Sequence, residues 1–410
     1  MNLHFTKMNI PLKVALGNIV MIVNLVVWYD YTSAILREAI DKTLSAYGEK
    51  LALDVILFSA VVASVLLGAF LANKLSSRKR FLLAWNLMGV FSSLALVMLE
   101  TATIVNVSFL LILVGISFGL GLPVYMANFA DITKIDNRAR FGSIVILVVF
   151  LGIFAFEFVM PKNLFLGALV LAAWRFSGLV GILPLGSFLE DKKQQKSPPM
   201  VSVLTDRSVL LYLIPWTIFS LINYLGWPIN SRIHGENFVY FSALINSVIA
   251  GIFAPIAGFL ADSAGRKRTL VSGFIVFGIG YAVLGINPFN IYAWYFYSFV
   301  DGIAWGIIYV IFWFTIWGDL ADGKSSEKYY AVGIIPYSLS GFLRVTLGPY
   351  IANTVSEYAI FSFAAFFLFL AVVPLMYAPE TLPEKTVRER ELKSYIEKAK
   401  RIREKFTKGQ

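Results

Sequence analysis

Twelve long apolar runs, separated by short polar breaks, organise this chain. Their cores lie near residues 12–36, 51–73, 81–100, 104–127, 141–161, 164–188, 208–230, 237–260, 268–286, 290–317, 329–352 and 356–378. A bilayer-spanning helix needs about 20 mostly apolar residues, because in lipid it must satisfy its own backbone hydrogen bonds. The pattern predicts an all-α polytopic membrane protein with twelve transmembrane helices. Connections are short except for EDKKQQKSPPMVSVLTDR, residues 190–207, where Pro198 and Pro199 sit among clustered charges. That stretch reads as a linker. The expected organisation is a six-helix N-terminal half over 1–189, a cytoplasmic linker over 190–207, a pseudo-symmetric six-helix half over 208–378 and a basic cytoplasmic tail over 379–410. The start, MNLHFTKMNIPLK, runs directly into the first span without a small-residue cleavage pattern, so no cleavable signal is expected.

Composition narrows the function classes. Of 410 residues, 58% are hydrophobic and 15% charged, against roughly 25% charged in soluble domains. The chain has no cysteine, which excludes disulfides and thiolate metal sites. Its two histidines, His4 and His234, lie outside the apolar runs, so neither a metal nor a cofactor is expected. Without an H-E-x-x-H or a Cys nucleophile an enzyme is not expected, and without G-x-x-x-x-G-K-[ST] there is no ATP site.

The net charge of +10 raises the question of nucleic acid, and its distribution answers it. With both termini in the cytoplasm, 28 of the 35 Lys and Arg residues fall on the inner side, 10 of them in the tail. Arg37, Lys42, Lys50, Lys162 and Arg232 fall outside, and Arg175 and Arg344 lie within spans. This is the positive-inside asymmetry of a multi-pass cell-membrane protein, and no nucleic-acid partner is needed to explain it.

The two halves repeat. GISFG (115–119) recurs as GIAWG (302–306), LAN (71–73) as LAD (260–262), and RKR (78–80) as RKR (266–268), at offsets of 187, 189 and 188. Three matches at one spacing, with six spans on either side, indicate a parallel repeat about an axis along the membrane normal, an arrangement found in secondary transporters.

The stretch GFLADSAGRKRTL, residues 258–270, carries a resemblance. Gly258, Leu260, Ala261, Asp262, Gly265, Arg266, Lys267 and Leu270 resemble the G-x-L-a-D-r-x-G-r-k-x-x-L signature of the major facilitator superfamily, with Ser263 where the family has Arg. Gly258 permits close helix approach, Gly265 a tight turn, and Asp262 can face the positive end of a neighbouring helix. The first-half copy, GAFLANKLSSRKR, is degenerate: Asn73 replaces the acid, and Ser76 or Ser77 the glycine. In the family this hairpin holds the inner side closed, which would place that role mainly on Asp262. Pro379-Glu380-Thr381 resembles the tripeptide after the last helix of many members. Tyr29-Asp30 is similar to motifs of both sugar porters and metabolite–proton symporters. Residues 121–143 resemble a sugar-porter stretch but lack its acid, with Asn128 nearby. The fifth span lacks the Gly-Pro-rich pattern of drug–proton antiporters.

The resemblance implies a major facilitator fold whose spans one, four, seven and ten line a central cavity. Three polar stripes fall on those spans at helical spacing. Span seven presents Trp216, Ser220, Asn223, Trp227 and Asn230. Span four presents Ser117, Gly121, Tyr125 and Asn128. Span ten presents Trp294, Tyr297, Asp301 and Trp305. Amides, hydroxyls and indoles suit a hydroxylated solute, although the same stripes serve as helix–helix glue and interfacial aromatics. In span one, Asn24, Trp28 and Tyr31 share a face that Asp30 does not, so either Asp30 alone faces the cavity or the helix is kinked. A carboxylate within a span is usually paired or functional.

Four further expectations concern charge. Glu157 and Arg175 would pair across an outer loop. Asp301 and Arg344, at similar depths, would pair in the second half, with Ser340 and Tyr337 on the face of Arg344. Asp54 and Glu100 would reach water. After Glu380, Leu392, Tyr395, Ile396, Ala399, Ile402 and Phe406 form the apolar stripe of a basic helix suited to membrane lipid at an anionic leaflet.

Together these features describe a monomeric secondary carrier that moves a small polar organic solute, sugar-like or another metabolite, by alternating access with a proton as coupling ion. A drug or metabolite efflux carrier and a transporter-like solute receptor are the alternatives.

Overall fold

The computed structural model describes residues 10–44, 46–74, 77–185 and 197–382. The stripe after Glu380, Lys193, His4 and Ser76 lie outside them. Twelve helices are long and apolar enough to cross a membrane: α1 (Leu12–Thr43), α2 (Tyr47–Leu71), α3 (Arg78–Thr101), α4 (Ile104–Ile132), α5 (Arg138–Glu157), α6 (Leu164–Leu185), α7 (Arg207–His234), α8 (Glu236–Ala264), α9 (Arg266–Ile286), α10 (Ile291–Leu320), α11 (Glu327–Thr354) and α12 (Glu357–Tyr377). Their most apolar windows have mean hydropathies of 1.2 to 2.5. Each overlaps a predicted span, and α1 runs several residues beyond its apolar core. Side-chain caps start several of them. Ser77, Thr103, Asn163 and Asn290 each accept a backbone N–H of the following first turn.

Because the number of spans is even, Ile10, Leu382 and the segment between α6 and α7 all lie at one end of the bundle, here called the termini end. The repeat is visible in the packing. α2 packs on α4 as α8 packs on α10, and α3 packs on α6 as α9 packs on α12. The glycines of GISFG and GIAWG sit in these seams. A Cβ on Gly115 or Gly119 would collide with Ala60 or Ser64 of α2, and one on Gly302 or Gly306 with Ile249 or Ala250 of α8. The first six spans meet the last six through α5 against α8 and α2 against α11.

Three helices are irregular where they line the middle of the molecule. α4 is interrupted at Gly119–Gly121. α7 tightens to a 3₁₀ turn over Asn223–Leu225, just ahead of Pro228, which has no N–H to offer the carbonyl of Tyr224. α10 widens to a π-helical segment over Tyr309–Thr315, where the Thr315 hydroxyl donates to the carbonyl of Val310 at 2.7 Å. Such segments recur at functional sites.

The expected Glu157–Arg175 pair does not form. Arg175 is buried in the α1–α3–α6 core, its guanidinium over the rings of Trp28 (5.1 Å) and Trp85 (4.9 Å) and one nitrogen donating to Asn24 Oδ1 at 2.8 Å. Cation–π contact substitutes here for a counter-ion. Glu157 instead accepts the Tyr31 hydroxyl at 2.8 Å. Asp54 is buried rather than hydrated, because Arg37 pairs with it.

Candidate functional site

At the termini end, charges fasten the two sets of spans together. Gly265, with φ of 109°, makes the turn between α8 and α9, a backbone region open to glycine at little cost. The turn sets Asp262 against the first turn of α5. Its carboxylate accepts the backbone N–H groups of Ala139 (3.3 Å) and Arg140 (2.9 Å) and pairs with Arg266 at 2.8 Å. The unsatisfied N–H groups and partial positive charge of a helix start make this a favourable seat for an acid. Gly258 allows the approach, since a Cβ there would lie 2.4 Å from Ser143 Oγ and 2.6 Å from the Ala139 carbonyl.

Around this contact the network widens. Asp319, at the end of α10, takes Arg138 of α5 at 2.5 Å and Arg266 at 3.1 Å. Arg78 of α3 pairs with Asp131 of α4 at 3.1 Å and with Glu327 at the start of α11. Glu380 accepts the backbone N–H groups of Arg266 (2.8 Å) and Lys267 (3.1 Å), while Lys267 Nζ donates to the Ala378 carbonyl at 3.0 Å. The hairpin is therefore tied both to α5 and to the end of α12.

Midway along the bundle the character changes. Asp30 of α1 and Arg344 of α11 are both exposed and make no ion pair or hydrogen bond among the described residues. Beyond contact distance they still interact electrostatically, and Tyr337 feels both charges. The Arg344 guanidinium lies over the ring of Trp227, 5.5 Å from its centroid, and that indole is 44% exposed. Aromatic pairs wall the same region: Tyr29 on Phe118 (3.8 Å), Trp305 on Tyr309 (4.6 Å) and Trp313 against Tyr337 (5.0 Å). Towards the termini end the space closes on a small void among Met126, Phe312, Trp317 and Tyr330.

The predicted stripes divide between packing and lining. In α1 the first alternative holds: Asn24 and Trp28 pack on α6 and α3, Tyr31 on α5, and Asp30 is left open. In α4, Ser117 and Gly121 pack against Trp85, and the Tyr125 hydroxyl donates to the Asn18 carbonyl at 2.6 Å. Asn128 is buried beside them. In α7, Trp216 is buried with its indole N–H donating to the Gly333 carbonyl at 2.7 Å, and Ser220 is buried too. The 3₁₀ turn then rotates the helix, so that Asn223 is half-buried, Trp227 is exposed and Asn230 is buried. Trp294 is buried with its N–H on the Pro288 carbonyl.

The expected Asp301–Arg344 pair is absent. Asp301 turns into the α8–α10 seam, where Asn246 Nδ2 donates to its Oδ2 at 2.5 Å and its Oδ1 is buried without a hydrogen-bond partner. Tyr297, Trp305 and Ser340 are buried nearby or at the cleft edge, with the Tyr297 hydroxyl 3.2 Å from that of Tyr281. Similar positions along their helices do not bring Asp301 and Arg344 together, because Asp301 is held by Asn246 of α8 and Arg344 lies over Trp227 of α7. Sequence reasoning also missed Arg78, Asp131, Arg138, Asp319 and Glu327. The repeat contained a signal for part of this, since Asp131 and Asp319 lie 188 positions apart, as Arg78 and Arg266 do.

Among the described residues, a twelve-helix bundle with a duplicated core thus carries a charged latch at one end and an exposed acid and base at mid-depth. The profile of the Major Facilitator Superfamily matches residues 200–407, and the chain belongs to that family. Over 102 residues it is 32% identical to the multidrug transporter protein MdtP of Bacillus subtilis (strain 168), which is 25% of this chain and only 18% of that protein's length. Among solved structures, a double tryptophan mutant of XylE superposes with a TM-score of 0.64 at 14% identity, covering 93% of this chain and 98% of that one. The human organic anion transporter MFSD10 (TETRAN) superposes with a TM-score of 0.63 at 14% identity, covering 89% and 100%. These two likenesses concern the fold.

Proposed function

We propose that this membrane transporter is a monomeric, proton-coupled secondary carrier of a small polar organic solute, working by alternating access in the cell membrane with both termini cytoplasmic. The observation that carries the reading is an exposed carboxylate, Asp30, and an exposed guanidinium, Arg344, one from each half of the chain, which make no ion pair among the described residues yet act on one another electrostatically. A charge at membrane depth without a close partner is costly, so the cleft is poised to take up a proton and a solute. Asp30 is a better proton carrier than Asp301, which is already hydrogen-bonded by Asn246 inside one half. The contacts described hold the termini end closed, the end that this reading assigns to the cytoplasm. Opening it requires the Asp262, Asp319 and Glu327 contacts between the two six-helix halves to part, and occupancy of the cleft would bias that equilibrium.

In proteoliposomes, Asp30→Asn should still exchange solute across the membrane but should no longer concentrate it on an inward proton gradient. Full gradient-driven accumulation by that variant would remove Asp30 from the coupling role. Counterflow in the same vesicles separates a carrier from a receptor, and solute export in exchange for inward proton movement would favour the efflux reading to which the MdtP likeness points. Topology is open to an independent check in this cysteine-free chain. Cysteine at position 42 should react with an impermeant maleimide in intact cells, while cysteine at position 193 should not.

A further inference from the structure

We infer that the solute is a monocarboxylate with an apolar or aromatic body, its carboxylate seated on the edge of the Arg344 guanidinium while Trp227 covers the guanidinium face. This deepens the carrier reading and rests on it.

The other arginines away from the termini end are satisfied. Arg37 holds Asp54, Arg232 holds Glu357, and Arg175 has Asn24 and two indole rings. Arg344 has one ring and, among the described residues, no acid in contact. It lies 10 residues inside the end of α11 at Thr354, about 15 Å along the helix, well below the depth at which its head could reach bulk water beyond the helix end. A guanidinium stays charged at any physiological pH and presents a planar fork of donors matched to a carboxylate. With one face on Trp227, the N–H edges remain free for such a bidentate contact. Space is available beside it, because a Cβ on Gly341, one turn earlier, would meet nothing within 4 Å.

The surroundings restrict the rest of the solute. Tyr29, Tyr309, Trp313 and Tyr337 offer ring faces and phenol hydroxyls to the body of the solute. A neutral sugar would leave the guanidinium unanswered.

The same geometry ties solute to proton. The groups that act on Asp30 are Arg344 from α11 and Glu157 from α5, with Tyr29 on its own helix and Tyr309 and Tyr337 from α10 and α11 alongside. A carboxylate arriving at Arg344 neutralises the positive charge that acts on Asp30, so it binds better once Asp30 is protonated. By linkage, protonation and anion binding strengthen each other equally. One proton and one monoanion would then move together without net charge.

The test uses the purified full-length protein in detergent, with lactate, hexanoate, benzoate and indole-3-acetate as probes, each beside its primary amide and beside glucose. At least one acid should raise the melting temperature while its amide and glucose do not. Arg344→Gln should weaken that binding between about tenfold and a hundredfold, the range for a hydrogen bond to a charged group, with Arg344→Lys in between. The unliganded Arg344→Gln protein should melt no lower than the parent, because no bridge is lost; a lower melting point would mean that Arg344 is structural and would overturn the proposal. Equal effects of acids and amides, stabilisation by glucose, or no Arg344-dependent response to any acid would overturn it too, leaving the carrier reading intact. An acid that binds through Arg344 but shows no counterflow in vesicles would instead sink the carrier reading and leave the anion site standing.

Discussion

The hairpin joining α2 to α3 and the hairpin joining α8 to α9 carry the same Arg-Lys-Arg, and each sets its first arginine on an aspartate 53 positions further on: Arg78 on Asp131 and Arg266 on Asp319, both at 3.1 Å. They differ in where the second acid comes from. The α8–α9 hairpin supplies its own, Asp262, which reaches across to two backbone N–H groups of α5. The α2–α3 hairpin has Asn73 at the corresponding position, and its Arg78 is met instead by Glu327 from the facing helix α11. Glu327 occupies the repeat position of Arg138 in α5, 189 residues earlier. A degenerate motif therefore does not mean an open latch. The acid stands on the opposite partner, and an ion pair between the two six-helix halves persists with its polarity reversed.

The two latches should nevertheless differ in strength. Removing one charge from a buried network costs roughly 3–5 kcal/mol, and Asp262 serves Arg266 and the α5 helix start together. In Asp262→Asn, spin labels placed at the termini ends of α5 and α8 should shift to longer separations, with transport falling accordingly. Unchanged distance distributions would refute a gating role. Glu327→Gln should open the same end less, because Arg78 keeps Asp131. The loss there is a single charged hydrogen bond, roughly 1.5–3 kcal/mol. Opening equal to that of Asp262→Asn would show that the two latches are equivalent. Asn73→Asp should change transport least, since Arg78 is already answered by Glu327. A clear gain in closure would mean that the substituted acid is still missed.

The legible part of this molecule was its order along the membrane normal. Runs of apolar residues fixed the twelve spans, and the 188-residue period located the hairpins. Depth is encoded in position along a helix, which is why spacing alone sets Asp301 and Arg344 at similar levels. What spacing does not encode is the direction in which each helix turns that level. Asp301 faces α8, Arg344 faces the cleft, and the two never meet. The α7 stripe failed for a related reason. It assumed a uniform 100° per residue, whereas the turn before Pro228 separates buried Trp216 and Ser220 from exposed Trp227. Arg175 was misassigned because a cation was expected to seek an anion, and it found indoles instead.

The π-helical segment Tyr309–Thr315 has a mechanical consequence. It stores one residue more than an α-helix would need between the aromatic wall at Trp305 and the acid at Asp319. Returning that residue to regular α geometry would turn everything beyond Thr315 by about 100° and advance it by about 1.5 Å relative to Trp305. Asp319 holds Arg138 and Arg266 at once. Slack taken up in the middle of one helix would thus swing both arginines off their common acid, as a winding change in a single screw rather than as a rocking of rigid blocks.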